Sequence, residues 1–110
     1  MNNRPVVVGF GTIQQKGDYD QLDEALFLMD KAFKKAINDC SNKKITEYID
    51  EIRVPKGFWR YRDPGKWVAA RNNINSVHTT VAKVGILQQN LINTACSKIQ
   101  SGEINASLIL

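Results

Sequence analysis

One histidine and two cysteines are all that this chain of 110 residues offers for nucleophilic or metal chemistry. Any Ser-His, Cys-His or multi-histidine metal site would have to be built around His78, which has no acidic or cysteine neighbour at ligand spacing. His78 therefore reads as a surface or edge histidine, and no metal site is expected. Cys40 and Cys96 are too few to define a disulfide framework, and both fall at apolar-periodic helix positions, where cysteine serves as a small hydrophobe. No apolar run approaches the ~20 residues of a membrane span, and segment 104–110 is far too short. The N-terminus has Arg4 followed only by Val6-Val-Val, without a long apolar signal region, so a cytoplasmic location without a membrane is the expectation. No internal repeat or low-complexity tract is present. The net charge of +4, with an isoelectric point near 9.2, is a small excess for a dedicated nucleic-acid binder, which makes nucleic acid an unlikely partner on charge alone.

What is present is a regular alternation of strand and helix signals. Val6–Val8 is a β-branched run ended by Gly9-Phe-Gly11 and reads as a buried strand entering a tight turn. The pair of glycines resembles the start of a dinucleotide fingerprint, but the third position holds Gln14 and no helix signal follows at once, so a plain turn is expected. From Leu22 to Cys40, apolar residues recur at helical spacing through Leu26, Met29, Phe33, Ala36 and Ile37, with Asp20 as the expected N-cap. After a turn at 41–44, Ile49–Val54 reads as the next strand, with a short helix over Ile45–Tyr48 as an alternative for the approach. A loop over Phe58–Pro64 leads into a short helix from Pro64 to Arg71 capped by Asp63, and 72–76 is a polar connector. Val77–Val84 reads as a strand, 86–100 as a helix stopped by Gly102, and Ala106–Leu110 as a last apolar strand.

Strands alternating with helices argue for a layered α/β fold with a mostly parallel sheet. The length suits one domain over 1–110, able to bury roughly two-thirds of its unfolded surface. Ala106–Leu110 would form an apolar strand with nothing to cover it, which raises the expectation of an N-terminal portion of a longer architecture.

The stretch Gly57-Phe-Trp-Arg-Tyr-Arg-Asp-Pro-Gly-Lys-Trp67, with Arg71 beyond it, interleaves aromatics with cations. Three uses remain open at this point. The aromatics stack bases of single-stranded nucleic acid, with Phe58–Arg71 as a small basic binding module. Alternatively the cations grip the phosphates of coenzyme A, or the segment packs on a partner subunit or its own sheet edge.

The last third is the most informative. Thr80-Val-Ala-Lys-Val-Gly-Ile-Leu-Gln-Gln89 through Ala95-Cys-Ser-Lys-Ile-Gln-Ser-Gly-Glu103 reads strand, tight turn, helix, glycine stop, strand. Its layout resembles the thiolase superfamily, in which a strand delivers a nucleophilic cysteine to the start of a buried helix that ends in an Ile-x-Ser-Gly-Glu-like turn. Ile99, Ser101, Gly102 and Glu103 match that turn, and counting back without a gap puts Gly85 where the family has its cysteine. Val6-Val-Val-Gly-Phe-Gly looks like the opening strand, Leu22–Cys40 the first helix and Ile49–Val54 the second strand. The motifs around Gly85 and Gly57-Phe-Trp look most like divergent thiolase-like proteins of the acetyl-CoA acetyltransferase kind, near the sterol-carrier-protein-x branch.

The resemblance implies a thiolase-like N-terminal segment of an acyl-CoA acyltransferase of lipid metabolism, with a coenzyme A thioester as substrate and no further cofactor. Without a catalytic cysteine, this segment would be inactive alone. Active members need a histidine motif and a second cysteine from a C-terminal half, so the implied partner is such a half or another copy of the chain. The implied substrate contacts are Gly85, Gln88, Gln89, Arg60, Arg62 and Trp67. Ile86, Leu87 and Gln88 depart from the small residues that the family pattern places in the first turn of the helix. A structural subunit that completes a separate thiolase-type half is a further alternative.

Overall fold

The computed structural model describes residues 3–83 and 85–110. Its frame is a sheet of three parallel strands, β1 (Ile49–Pro55), β2 (His78–Ala82) and β3 (Ala106–Ile109), in the order β2-β1-β3. Parallel neighbours need crossovers, and helices supply them. Between β1 and β2 runs α2 (Pro64–Arg71), between β2 and β3 runs α3 (Gln88–Ser101), and α1 (Ala25–Asp39) precedes the sheet. The expected layered α/β arrangement with a parallel sheet is what the chain forms. The Val84 end of the expected third strand lies outside the described residues.

Local signals explain several boundaries. Pro64 occupies the first turn of α2, and the Asp63 carboxylate caps it by accepting from the Lys66 N–H at 3.1 Å. α3 stops at Gly102 in the left-handed region, with the Glu103 N–H donating back to the Lys98 carbonyl.

α1 is shorter than its apolar periodicity suggests. Gln15 accepts from the Asp23 N–H and donates to the Asp23 carbonyl, which occupies the backbone that would otherwise start the helix. Asp20 is therefore not the cap, and lies instead in a 3₁₀ turn, Tyr19–Gln21. The approach to β1 is a 3₁₀ helix, Lys43–Tyr48, capped by the Asn42 side chain.

Val6–Val8 is not a strand, because among the described residues no other strand lies alongside to bond it. The segment is an extended arm laid across α1. Gly9 and Gly11 make that approach possible rather than a simple turn. A Cβ on Gly9 would strike the Ala36 carbonyl, and one on Gly11 would sit 2.6 Å from both the Ala32 carbonyl oxygen and the Ala36 nitrogen. The Phe10 N–H donates to Asp39 Oδ2 at 2.9 Å, while the side chains of Val6, Val7, Val8 and Phe10 remain exposed. Gly11→Val should lift the arm off. The expected result is a fall of at least about tenfold in the hydrogen-exchange protection of the Phe10 amide. The melting temperature should drop by less than about 5 °C. Unchanged protection would mean that the arm is held by something else.

The two faces of β1 differ in character, because side chains alternate along a strand. Ile52 and Val54 point into a core with Phe33 from α1, Val68 and Ala69 from α2, and Ile49 and Ile74. Glu51 and Arg53 point to the opposite face, beneath Leu91, Ala95 and Lys98 of α3. Arg53 Nε and Nη2 donate to the two Glu51 oxygens at 2.6 and 3.0 Å, the Ser107 hydroxyl donates to Glu51 Oε1 at 2.9 Å, and Lys98 Nζ lies 3.6 Å from Oε2. Parallel sheets usually bury apolar side chains on both faces. This one buries a fork-on-fork ion pair.

Candidate functional site

Open parallel sheets bind ligands beyond the carboxyl ends of their strands. Here β1 exits at Pro55 into loop 56–63 and β2 exits at Ala82 towards Gly85, and the Lys56 N–H donates to the Ala82 carbonyl at 3.0 Å, holding the two exits together. Gly85 is a turn residue with φ +96, and the Ile86 N–H donates to the Lys83 carbonyl at 3.1 Å. A Cβ at position 85 would meet nothing within 4 Å, so glycine is required there by its backbone angle and not by crowding. Leu87 is extended, and α3 starts at Gln88, so Gly85 does not abut the helix as the expected span of 86–100 implied. Ile86 and Leu87 intervene, both exposed.

The expected contact residues divide into two groups. Gly85, Gln88, Gln89, Arg60 and Arg62 all emerge at this edge and are exposed. Gln89 is tied along the helix, donating to Asn93 Oδ1 at 3.0 Å. Arg60 and Arg62 have no ion-pair partner among the described residues. Trp67 stands apart. Its ring meets Phe27 of α1 edge-on at 5.6 Å and carries the Arg71 guanidinium 5.0 Å from its centre. Arg71 in turn pairs with buried Asp30 at 3.1 Å, beside Lys34 at 2.9 Å and the Asn72 amide at 2.7 Å. Burial by itself would push the Asp30 carboxyl up, but the Asn72 and Lys34 hydrogen bonds and the charges of Lys34 and Arg71 hold it below its ordinary value. Trp67 and Arg71 thus clamp α1 to α2.

The aromatic loop is largely self-satisfied. Trp59 and Tyr61 stack with centroids 5.4 Å apart, and Lys56 lies over the Trp59 ring while its ammonium donates to the Trp59 carbonyl. The Tyr61 hydroxyl donates to Glu24 Oε1 at 2.7 Å, which holds its pKa above the ordinary value, and accepts from the Leu26 N–H at 3.4 Å. This tether pins the loop to the start of α1. It joins residues 37 apart in sequence and had no sequence signature. The buried Glu51–Arg53 pair was also missed, although opposite charges two apart in a strand, alternating with Ile52 and Val54, were a readable sign of it.

Among the described residues, the edge has donors for anions and amides but no paired acid and base. His78 lies at the opposite end of β2, ~13 Å from Ala82 along the strand. Cys40 closes α1 and Cys96 lies within α3, both half-buried and free. Among the described residues, no three His, Cys, Asp or Glu side chains come together to hold a metal. A groove of about 290 Å³ over Phe33, Ile37 and Asn72 and a cavity of about 70 Å³ between the arm, α1 and β3 both lie along α1, away from this edge.

No protein-family model and no curated protein matches the chain. Among solved structures it is similar to a monomeric SCP2-thiolase like protein type 1 from Mycobacterium smegmatis, with a TM-score of 0.80 and 24% identity over 99% of this chain. The chain spans about a quarter of that protein, 23% of its length. No helix among the described residues is long and apolar enough to cross a membrane. The likeness extends over nearly every residue of the α/β frame described above, and the fold of this chain is thiolase-like.

Proposed function

We propose that this chain is an N-terminal segment of a thiolase-like acyl-CoA acyltransferase that supplies one wall of a thioester site and no nucleophile. The observation that carries the reading is Gly85. It takes the strand-to-helix turn at the carboxyl edge, where the resemblance places the reactive cysteine, and it does so in a backbone conformation that suits glycine. Arg60 and Arg62 are cations for the phosphates of coenzyme A, and Gln88 and Gln89 are amides within reach of an acyl or pantetheine group. Turnover in this reading needs groups from a thiolase-type partner. The nucleic-acid alternative is less well supported, because Trp59 and Tyr61 stack on each other and Trp67 carries Arg71, which leaves Phe58 as the freely exposed ring of the segment.

The test is calorimetric titration of the chain with acetyl-CoA, together with a thiolysis assay. The expected result is weak, salt-sensitive binding that falls about tenfold in Arg60→Ala/Arg62→Ala, with no turnover. Gly85→Cys is expected to remain inactive alone and to lose about 1–2 kcal/mol of stability, because a side chain is strained at φ +96. Turnover by the unmodified chain would overturn the missing-nucleophile reading. Binding indifferent to Arg60 and Arg62 would overturn the assigned site.

A further inference from the structure

From Gly57 to Asp63 the loop after β1 alternates residue by residue between half-buried and exposed. Gly57, Trp59, Tyr61 and Asp63 are half-buried, whereas Phe58, Arg60 and Arg62 are exposed. The half-buried row is bound into the fold. A Cβ on Gly57 would lie 2.5 Å from Nε1 of Trp59, so glycine leaves room for the indole to fold back against the loop. Trp59 then stacks on Tyr61, and the Asp63 carboxylate accepts from the Lys66 N–H and, at 2.8 Å, from the Thr79 hydroxyl. In the exposed row, Arg60 and Arg62 have no ion-pair partner among the described residues.

The loop is fastened to β2 at both ends, by the Lys56 N–H on the Ala82 carbonyl and by Asp63 on Thr79. Between those points, among the described residues, the hydrogen bonds that tie it to another element are the two made by the Tyr61 hydroxyl. It donates to Glu24 Oε1 at 2.7 Å and accepts from the Leu26 N–H at 3.4 Å. Leu26 lies in the first turn of α1, where N–H groups have no partner within the helix, and the Glu24 side chain does not cap them. One hydroxyl thus serves a free helix end and a free stretch of loop. Tyr61 stands between the two arginines in the chain, so the point at which it is held fixes the backbone that carries both. We propose that Tyr61 is a positioning residue for the anion site: through Glu24 and Leu26 it holds Arg60 and Arg62 in the arrangement that takes the phosphates of coenzyme A, without touching the ligand itself. Cations already held in place lose less freedom on binding, and affinity rises accordingly. This role rests on the thioester reading of the same edge.

The experiment is calorimetric titration with acetyl-CoA of the full chain, Tyr61→Phe, Arg60→Ala/Arg62→Ala and the triple variant. Tyr61→Phe keeps the ring that stacks on Trp59, and far-ultraviolet circular dichroism should confirm that it folds like the parent. Losing the hydroxyl should weaken binding about fivefold. The triple variant should bind no more weakly than Arg60→Ala/Arg62→Ala, because the tether acts through the arginines. A second pair of variants tests the acceptor. Glu24→Gln and Glu24→Ala both remove the exposed charge, but glutamine keeps a carbonyl for the Tyr61 hydroxyl and should bind at least about threefold tighter than alanine. Parent affinity in Tyr61→Phe, a full further loss in the triple variant, or equal affinity in the two Glu24 variants would each overturn the positioning role while leaving an arginine-dependent site in place. A parent chain that does not bind acetyl-CoA, or binds it equally without Arg60 and Arg62, would overturn the thioester reading and this role with it.

Discussion

Replacing Glu51 with glutamine is expected to destabilise the protein by about 3–5 kcal/mol. Glu51 is 3% exposed, and its carboxylate accepts both prongs of the Arg53 guanidinium and the Ser107 hydroxyl, with the Lys98 ammonium close by. Glutamine keeps the shape and removes the charge, which leaves two cations facing each other beneath α3 with nothing to neutralise them. Taking both partners away is a different experiment. Glu51→Leu/Arg53→Met removes the stranded charge together with its partner, and is expected to lie within about 1–2 kcal/mol of the parent protein. Urea unfolding of the single and double variants at neutral pH separates the two cases. A cost below about 1 kcal/mol for Glu51→Gln would show that the pair is solvated and not buried.

The same group gives a pH dependence. Burial alone would raise the Glu51 carboxyl, but the Arg53 and Ser107 hydrogen bonds and the charges of Arg53 and Lys98 outweigh it and hold the pKa below its ordinary 4.5. A lowered folded-state value means that the unfolded chain takes up the proton first. The stabilisation is therefore complete above pH 4.5 and is lost as pH falls through the lower folded value. Asp30, lowered from 3.8, adds a loss of the same sign as pH falls. Acid unfolding of Glu51→Gln should accordingly be less steep than that of the parent protein.

Phe33→Ala is the second large effect, expected at about 3–5 kcal/mol. Phe33 is 2% exposed, comes from the middle of α1, and is the most buried apolar side chain by which that helix joins the core of Ile52, Val54 and Val68, flanked by the partly buried Met29 and Ile37. It also forms part of the wall of both the 290 Å³ groove and the 70 Å³ cavity. Truncation would leave a vacancy in the core beside both. Against a total of about 5–15 kcal/mol for a domain of this size, the loss should lower the melting temperature by at least about 10 °C. Phe33→Leu, which keeps most of the volume, should cost less than about 1.5 kcal/mol. Equal effects of the two substitutions would mean that α1 is not anchored through this ring.

What could be read from the residues follows the range of the forces involved. α2 was legible because Asp63, Pro64 and Arg71 signal its ends within a few residues, and the stop at Gly102 and the alternation of β1 are equally local. Val6–Val8 misled because a β-branched run states a preference, whereas a strand needs a neighbour to bond with, and here Gly9 and Gly11 dock the backbone on Ala32 and Ala36 instead. At the candidate site, Gly85 and its turn were visible in sequence. The inward turn of Trp67 towards Phe27 and the hold of Tyr61 on Glu24 were not, since each depends on a helix about 40 positions away.

The two-faced character of β1 also governs how the central strand finds its alignment. Sliding it by one residue would turn Glu51 and Arg53 towards Phe33 and Val68 and drive Ile52 and Val54 beneath α3. Such a misalignment would strand two charges in an apolar interior, at a cost comparable to the whole stability of the fold. An all-apolar strand would tolerate several near-equal alignments, but in this one the ion pair acts as a key that fits a single setting of the sheet.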